Sequence, residues 1–155
     1  MDEDDDPIPL DGLYAAIERH IAETIPALRY VGTMPDRLEC LATPAVVIEL
    51  AEWEPGPDQG TGQVGVEVRF EARVIVAGEE DHSLRMAAFA AAQLTVLLRL
   101  QTWGVVAEPA SFVRAAQDWT RPELDGYAVW VVEWTQVIYL GVEEWPWPEE
   151  RGPTA

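Results

Sequence analysis

From Val64 to Val76 every second residue is apolar: Val64, Val66, Val68, Phe70, Ala72, Val74 and Val76. Between them stand Gly65, Glu67, Arg69, Glu71 and Arg73. Successive side chains of a strand point to opposite faces, so a period of two over this length specifies a β-strand. A helix would scatter the same residues around its circumference. The chain must therefore build a sheet with one apolar face, and other elements must cover that face. The opposite face carries charges that alternate in sign. Two readings of Glu67, Arg69, Glu71 and Arg73 stand side by side. One is a solvated face whose cross-strand ion pairs each contribute little. The other is a contact surface on which complementary charge sets register and specificity.

The remaining segments organise around this strand. Leu13, Ala16, Ile17, His20, Ile21 and Leu28 follow helical spacing after Asp11, a candidate N-cap, with Pro26 at the helix end. Residues 29–44 contain Gly32, Pro35 and Pro44 and read as a loop. Residues 45–53 read as a strand. Residues 54–63, with Pro55, Gly56, Pro57, Gly60 and Gly62, read as a long hairpin connection with no ladder of its own. Gly78 ends the central strand, and Asp81 or Ser83 caps a helix expected over 82–101. Its expected buried stripe is Leu84, Ala87, Ala88, Ala91, Leu94, Thr95 and Leu98. Residues 111–119 form a third strand, and Asp125-Gly126 marks a turn.

The fourth strand spans Tyr127–Leu140 and is apolar on both faces, so both faces want cover. The helices supply one cover, and a long loop or another subunit supplies the other. The expected fold is a single α+β domain over residues 10–141. Two helices pack on one face of a four-stranded antiparallel sheet, in the order α-β-β-α-β-β. Residues 1–9 read as a disordered acidic tail, and residues 142–155 as an extended tail carrying Trp145 and Trp147 between prolines.

Charge removes several function classes. Asp and Glu number 28 against 10 basic residues, all of them Arg, for a net charge of −18. Binding nucleic acid through its phosphates needs a basic surface. An anionic membrane surface repels such a chain as well. No stretch is long and apolar enough to span a bilayer, and the acidic start is the reverse of a signal peptide, so the expected location is the cytoplasm or a particle assembled there.

Residues able to do chemistry are few. Cys40 is the only cysteine and reads as a small buried apolar residue, without a disulfide or a cysteine-based zinc cluster. His20 and His82 make a two-histidine metal site conceivable, but no neighbouring carboxylate has ligand spacing, and a core-edge and a capping-region histidine are expected instead. No nucleophilic triad has a supporting motif. Gly60-Thr61-Gly62 lacks the following Lys-Thr of a phosphate loop and opens a strand, so no cofactor is expected. Glu79, Glu80 and Asp81 read as a helix-capping cluster rather than a cation site.

With this element order, four segments resemble the tail terminators of long-tailed bacteriophages, in particular the small Mu-like family. They are Pro44–Leu50, the long strand up to Gly78, the helix opening Asp81–Arg85, and Trp134–Gly141. The resemblance covers roughly residues 10–141. It implies a hexameric ring without catalytic residues that stops tail-tube polymerisation and gives the head connector its docking surface. Implied partners are further copies of the chain, the tail tube protein, the head-tail connector and, in a contractile tail, the sheath. Double-stranded DNA would pass through without specific binding, and the location would be the virion. The Trp-Pro tail and the acidic start depart from the family pattern. Candidate contact residues are Glu67, Arg69, Glu71 and Arg73 on the strand, Pro55, Gly56 and Pro57 in the loop, and Trp145 and Trp147 in the tail. The alternatives are a cytosolic ligand-binding or regulatory domain, a small enzyme using His20 or His82, or another tail or connector component such as a completion protein.

Overall fold

A computed structural model of the chain describes residues 6–143. Helix α1 (Leu10–Thr24) is followed by a three-residue strand β1 (Tyr30–Gly32), a 3-10 turn at Leu38–Cys40, and the hairpin β2 (Ala45–Pro55) and β3 (Val64–Ala77). Helix α2 (Ser83–Leu97) leads to β4 (Ser111–Gln117), a 3-10 turn at Pro122–Leu124 and β5 (Tyr127–Leu140). The strands form one sheet in the order β1-β2-β3-β5-β4.

The class is α+β, as the sequence indicates, but the sheet is five-stranded and mixed rather than four-stranded and antiparallel. The added strand, β1, runs parallel to β2, with Tyr30 beside Ala45 and Gly32 beside Val47. Three residues carry no readable periodicity, so β1 exists through its pairing and not through its own sequence. The Arg29 N–H donates to the Pro44 carbonyl at 2.8 Å and fixes its entry. The stretch between β1 and β2 is the long connection that parallel neighbours require.

The alternation in β3 is realised. Val66, Val68, Phe70, Ala72, Val74 and Val76 are buried against α1 and α2 in one core. Val64, at the strand's start, is exposed. α1 contributes Leu13, Ala16, Ile17 and Ile21. α2 contributes Ala87, Ala90, Ala91 and Leu94, whose small side chains bring the helix close to the sheet. Leu84 is 43% exposed rather than part of that stripe. α2 also stops short of 101: Leu100 takes a left-handed φ of 58° and turns the chain out of the helix. Neither helix has a side-chain cap. Pro9 and His82 occupy the cap positions, not Asp11, Asp81 or Ser83.

The second face of β5 is covered at one end by a loop. Leu41, Ala45, Val47, Ile75, Leu124 and Val129 make a smaller cluster there, with Tyr30, Met34, Leu38 and Tyr127 packed on it. The 3-10 turn aims Leu38 and Leu41 at this cluster and leaves Cys40 exposed, correcting the expectation of a buried cysteine. The ladder between β2 and β3 also runs further than the sequence suggests. Pro55 pairs with Val66, and the Gly56 N–H donates to the Gly65 carbonyl at 2.9 Å. Proline is tolerated at position 55 because β2 is an edge strand there: the Gly56 N–H carries the bond to β3, and the nitrogen of Pro55 faces the outer side.

Candidate functional site

The four charged residues of β3 share the sheet face away from the helices, and register decides what they meet. Glu71 lies directly between Glu49 of β2 and Glu133 of β5, and Arg114 of β4 lies opposite Glu133. Three carboxylates in one row across adjacent strands repel one another unless cations stand above and below. Arg69 and Arg73, two residues to either side of Glu71, fill those places. The Arg73 Nη2 donates to Glu71 at 2.8 Å, and its Nε donates to Asp118 at 2.6 Å. The Arg69 Nη2 donates to Glu71 at 3.3 Å, and its Nη1 lies 3.1 Å from Glu52. Arg114 donates to Glu133 at 2.9 Å. Arg121, in the turn before β5, donates to both oxygens of Glu49 at 2.9 and 3.0 Å.

The network shields its own centre. Glu71, Arg73 and Glu133 are only 8%, 6% and 9% exposed although no helix covers them. Burial alone would raise the Asp118 carboxyl, but hydrogen bonds from Thr120 and Arg73 outweigh it and hold the group below the usual carboxylate range. Burial likewise works against the Arg73 guanidinium, and its bonds to Asp118 and Glu71 override that, so its pKa is raised. Both groups stay charged throughout the neutral range. A fixed pair of this kind suits recognition and register rather than proton transfer.

The candidate residues therefore separate. Arg69, Glu71 and Arg73 belong to one network. Glu67 does not: it lies opposite Glu54 and Val137, and among the described residues it enters no ion pair. Pro55 and Gly56 lie in the ladder. Pro57 folds its backbone flat onto Gly65, where a Cβ would collide with the Pro57 carbonyl. The free part of the loop shrinks to residues 58–62, which Asp58 tightens by accepting the Gly60 N–H at 2.8 Å. Trp145 and Trp147 lie outside the described residues. Sequence reasoning missed Glu49, Asp118, Arg121 and Glu133, because cross-strand partners follow from register; the lone Glu133 in an apolar strand was the available signal.

The two histidines stand at opposite ends of α2. His82 is exposed at its start, while His20 packs edge-on against Trp103 beyond its end, with ring centroids 5.6 Å apart. Among the described residues no cluster of three or more His, Cys, Asp or Glu side chains is placed to hold a metal ion. Beside α2 lies an apolar groove of about 510 Å³, walled by Ile25, Leu28, Val76, Met86 and Phe89, with Arg85 as the one charged lining residue among those described. Phe89 is 68% exposed. No helix among the described residues is long and apolar enough to cross a membrane.

No family model matches the sequence, and no curated protein matches it.

Proposed function

We propose that this chain is a structural ring subunit: a tail terminator that caps the tail tube of a long-tailed phage and offers the head connector its docking surface. The observation that carries the ring is a pair of open sheet edges. Among the described residues β2 is paired on its outer side only over Ala45–Val47, so its edge from Ile48 to Pro55 is open there, apart from the Leu50 N–H that the Tyr14 hydroxyl accepts at 3.2 Å. β4 is the other end of the sheet, and no strand among the described residues pairs with its outer side. β2 and β5 run one way, β3 and β4 the other. Placed beside the next copy's β2, β4 is antiparallel to it and continues the ladder.

The two edges also match in chemistry. β4 presents Arg114 and an exposed Phe112; β2 presents Glu49, Glu52 and an exposed Trp53. Because the edges differ, the contact is head-to-tail, and head-to-tail contacts close into rings when the rotation between copies closes. The terminator role itself, with tube protein, connector and, in a contractile tail, sheath as neighbours, rests on the resemblance of residues 10–141. The apolar groove favours a second reading, a ligand-binding domain, and size separates the two. Sedimentation of the full chain should give a ring of about six copies, and adding it to polymerising tube protein should fix tube length. A chain that stays monomeric at high micromolar concentration, alone and on tubes, overturns the ring.

A further inference from the structure

We propose that the apolar groove beside α2 is the docking site for the Trp145-Pro146-Trp147-Pro148 segment of a second copy of this chain. The groove lies on the helix side of the sheet, at the end where β3 finishes. Val76 lines it, and Val76 lies opposite Ala128 at the start of β5. The Trp-Pro segment leaves from the other end, because Leu140 at the close of β5 lies opposite Val64. Twelve residues of strand separate Val64 from Val76, about 40 Å at roughly 3.3 Å each. Trp147 stands six residues beyond Gly141, and extended chain spans at most about 3.5 Å per residue, or about 21 Å. A subunit therefore cannot fill its own groove, whereas a neighbour's segment can.

The chemistry fits the same occupant. Prolines at 146 and 148 fix φ on alternate residues, so the two indoles are presented with little conformational freedom to lose, which is how aromatic-lined grooves take proline-rich segments. The segment is flanked by Glu143 and Glu144 on one side and Glu149 and Glu150 on the other. Among the described residues the groove's lining holds no carboxylate, although acidic residues outnumber basic ones almost threefold in the chain, and Arg85 stands among its lining residues. Acidic flanks meet the one cation there and avoid like charge. The contact joins unlike surfaces, so it is head-to-tail like the proposed edge pairing. It rests on self-association but uses neither open edge.

Disulfide trapping tests it on the full chain. In a Cys40→Ser background, Pro148→Cys is combined with Gln93→Cys at the groove and oxidised. The expected product is a ladder of covalent multimers on a non-reducing gel, reduced about tenfold or more when Trp145→Ala and Trp147→Ala are added. A control pairing Pro148→Cys with Glu18→Cys on α1 should give no ladder. An intramolecular product, or a ladder indifferent to the tryptophans or equal to the control, overturns the inference. Sedimentation of the same chain keeps the two readings apart. A closed ring without tryptophan-dependent trapping overturns the docking alone, and trapping in open chains supports the docking and overturns the ring.

Discussion

Arg73 carries the most consequence of any single side chain on the open face. Its guanidinium is held from three sides, by Asp118, Glu71 and, at 3.8 Å, Glu49. Removing one partner of such a buried set leaves a charge without compensation, which outweighs the modest net value of the set itself. Asp118 gives this a pH signature. Its carboxyl titrates below the unfolded value of about 3.9, so its stabilising contribution is complete at neutral pH and is lost as the pH falls from about 5 through the folded pKa. Asp118→Asn should be less stable than the parent at pH 7, and the gap should narrow on acidification. Urea midpoints taken between pH 7 and 3 would show it, and parallel curves for the two chains would refute it. A second residue-scale expectation concerns two glycines. Gly65→Ala drives a Cβ into the Pro57 carbonyl, a backbone clash that should cost about 1–3 kcal/mol. Gly12→Ala, in the first turn of α1 with open space around it, should stabilise by about 0.4–1 kcal/mol, chiefly by restricting the unfolded chain. Both are read from thermal or urea unfolding.

At the scale of elements, what the residues reveal depends on how far a signal repeats. β3 and β5 are legible because fourteen residues each hold their pattern, and the bounds of β5 come out as expected. α1 is legible by its apolar stripe. β1 is not, since three residues cannot show a period, and its pairing is decided by the chain around Pro44. Gln136 was equally silent. On β5 it accepts the Trp103 indole N–H at 2.8 Å and donates to the carbonyls of Gln101 and Glu108, tying the chain after α2 to the sheet. Only folding brings those residues together. The site divides in the same way: Arg69, Glu71 and Arg73 announce themselves by alternation, whereas their partners lie on other strands. The sequence from residue 54 reads as free loop, yet its early part belongs to the hairpin. Shortening only residues 58–62 should therefore leave stability within about 1 kcal/mol, whereas deletions that include Pro57 should not. For the proposed edge contact, Arg114→Glu places like charge against Glu49 and Glu52 of the next copy. The change also puts a carboxylate opposite Glu133, so the isolated subunit should lose some stability in urea, and Arg114→Gln, which removes the same ion pair without adding charge, is the reference: relative to it, Arg114→Glu should weaken assembly by about tenfold or more in sedimentation. Unchanged assembly would remove β4 from the interface.

At the scale of the whole molecule, the acidity that the ion-pair network consumes is small. Of 28 carboxylates, Glu49, Glu52, Glu71, Asp118 and Glu133 meet arginines on the open face, and most of the chain's net charge of −18 is displayed elsewhere. A monomer carrying that charge gains solubility at the expense of self-repulsion. In a closed ring the repulsion adds up, so head-to-tail contacts must be strong, and this favours open strand edges and buried indoles over rim charges. Salt should accordingly strengthen assembly up to moderate concentration, by screening like charge between copies. The same field bears on DNA. If the proposed ring surrounds a passing duplex, it has to leave the DNA free to slide, and an acidic wall repels phosphate instead of releasing counterions to bind it. Full-length chain should therefore show no measurable affinity for double-stranded DNA at physiological salt, and lowering the salt, which tightens binding by basic proteins, should not reveal any. A micromolar complex in an anisotropy titration, weakening steeply as salt is raised, would mean that some surface concentrates arginine despite the net charge, and the proposal that DNA passes the ring without binding would fail with it.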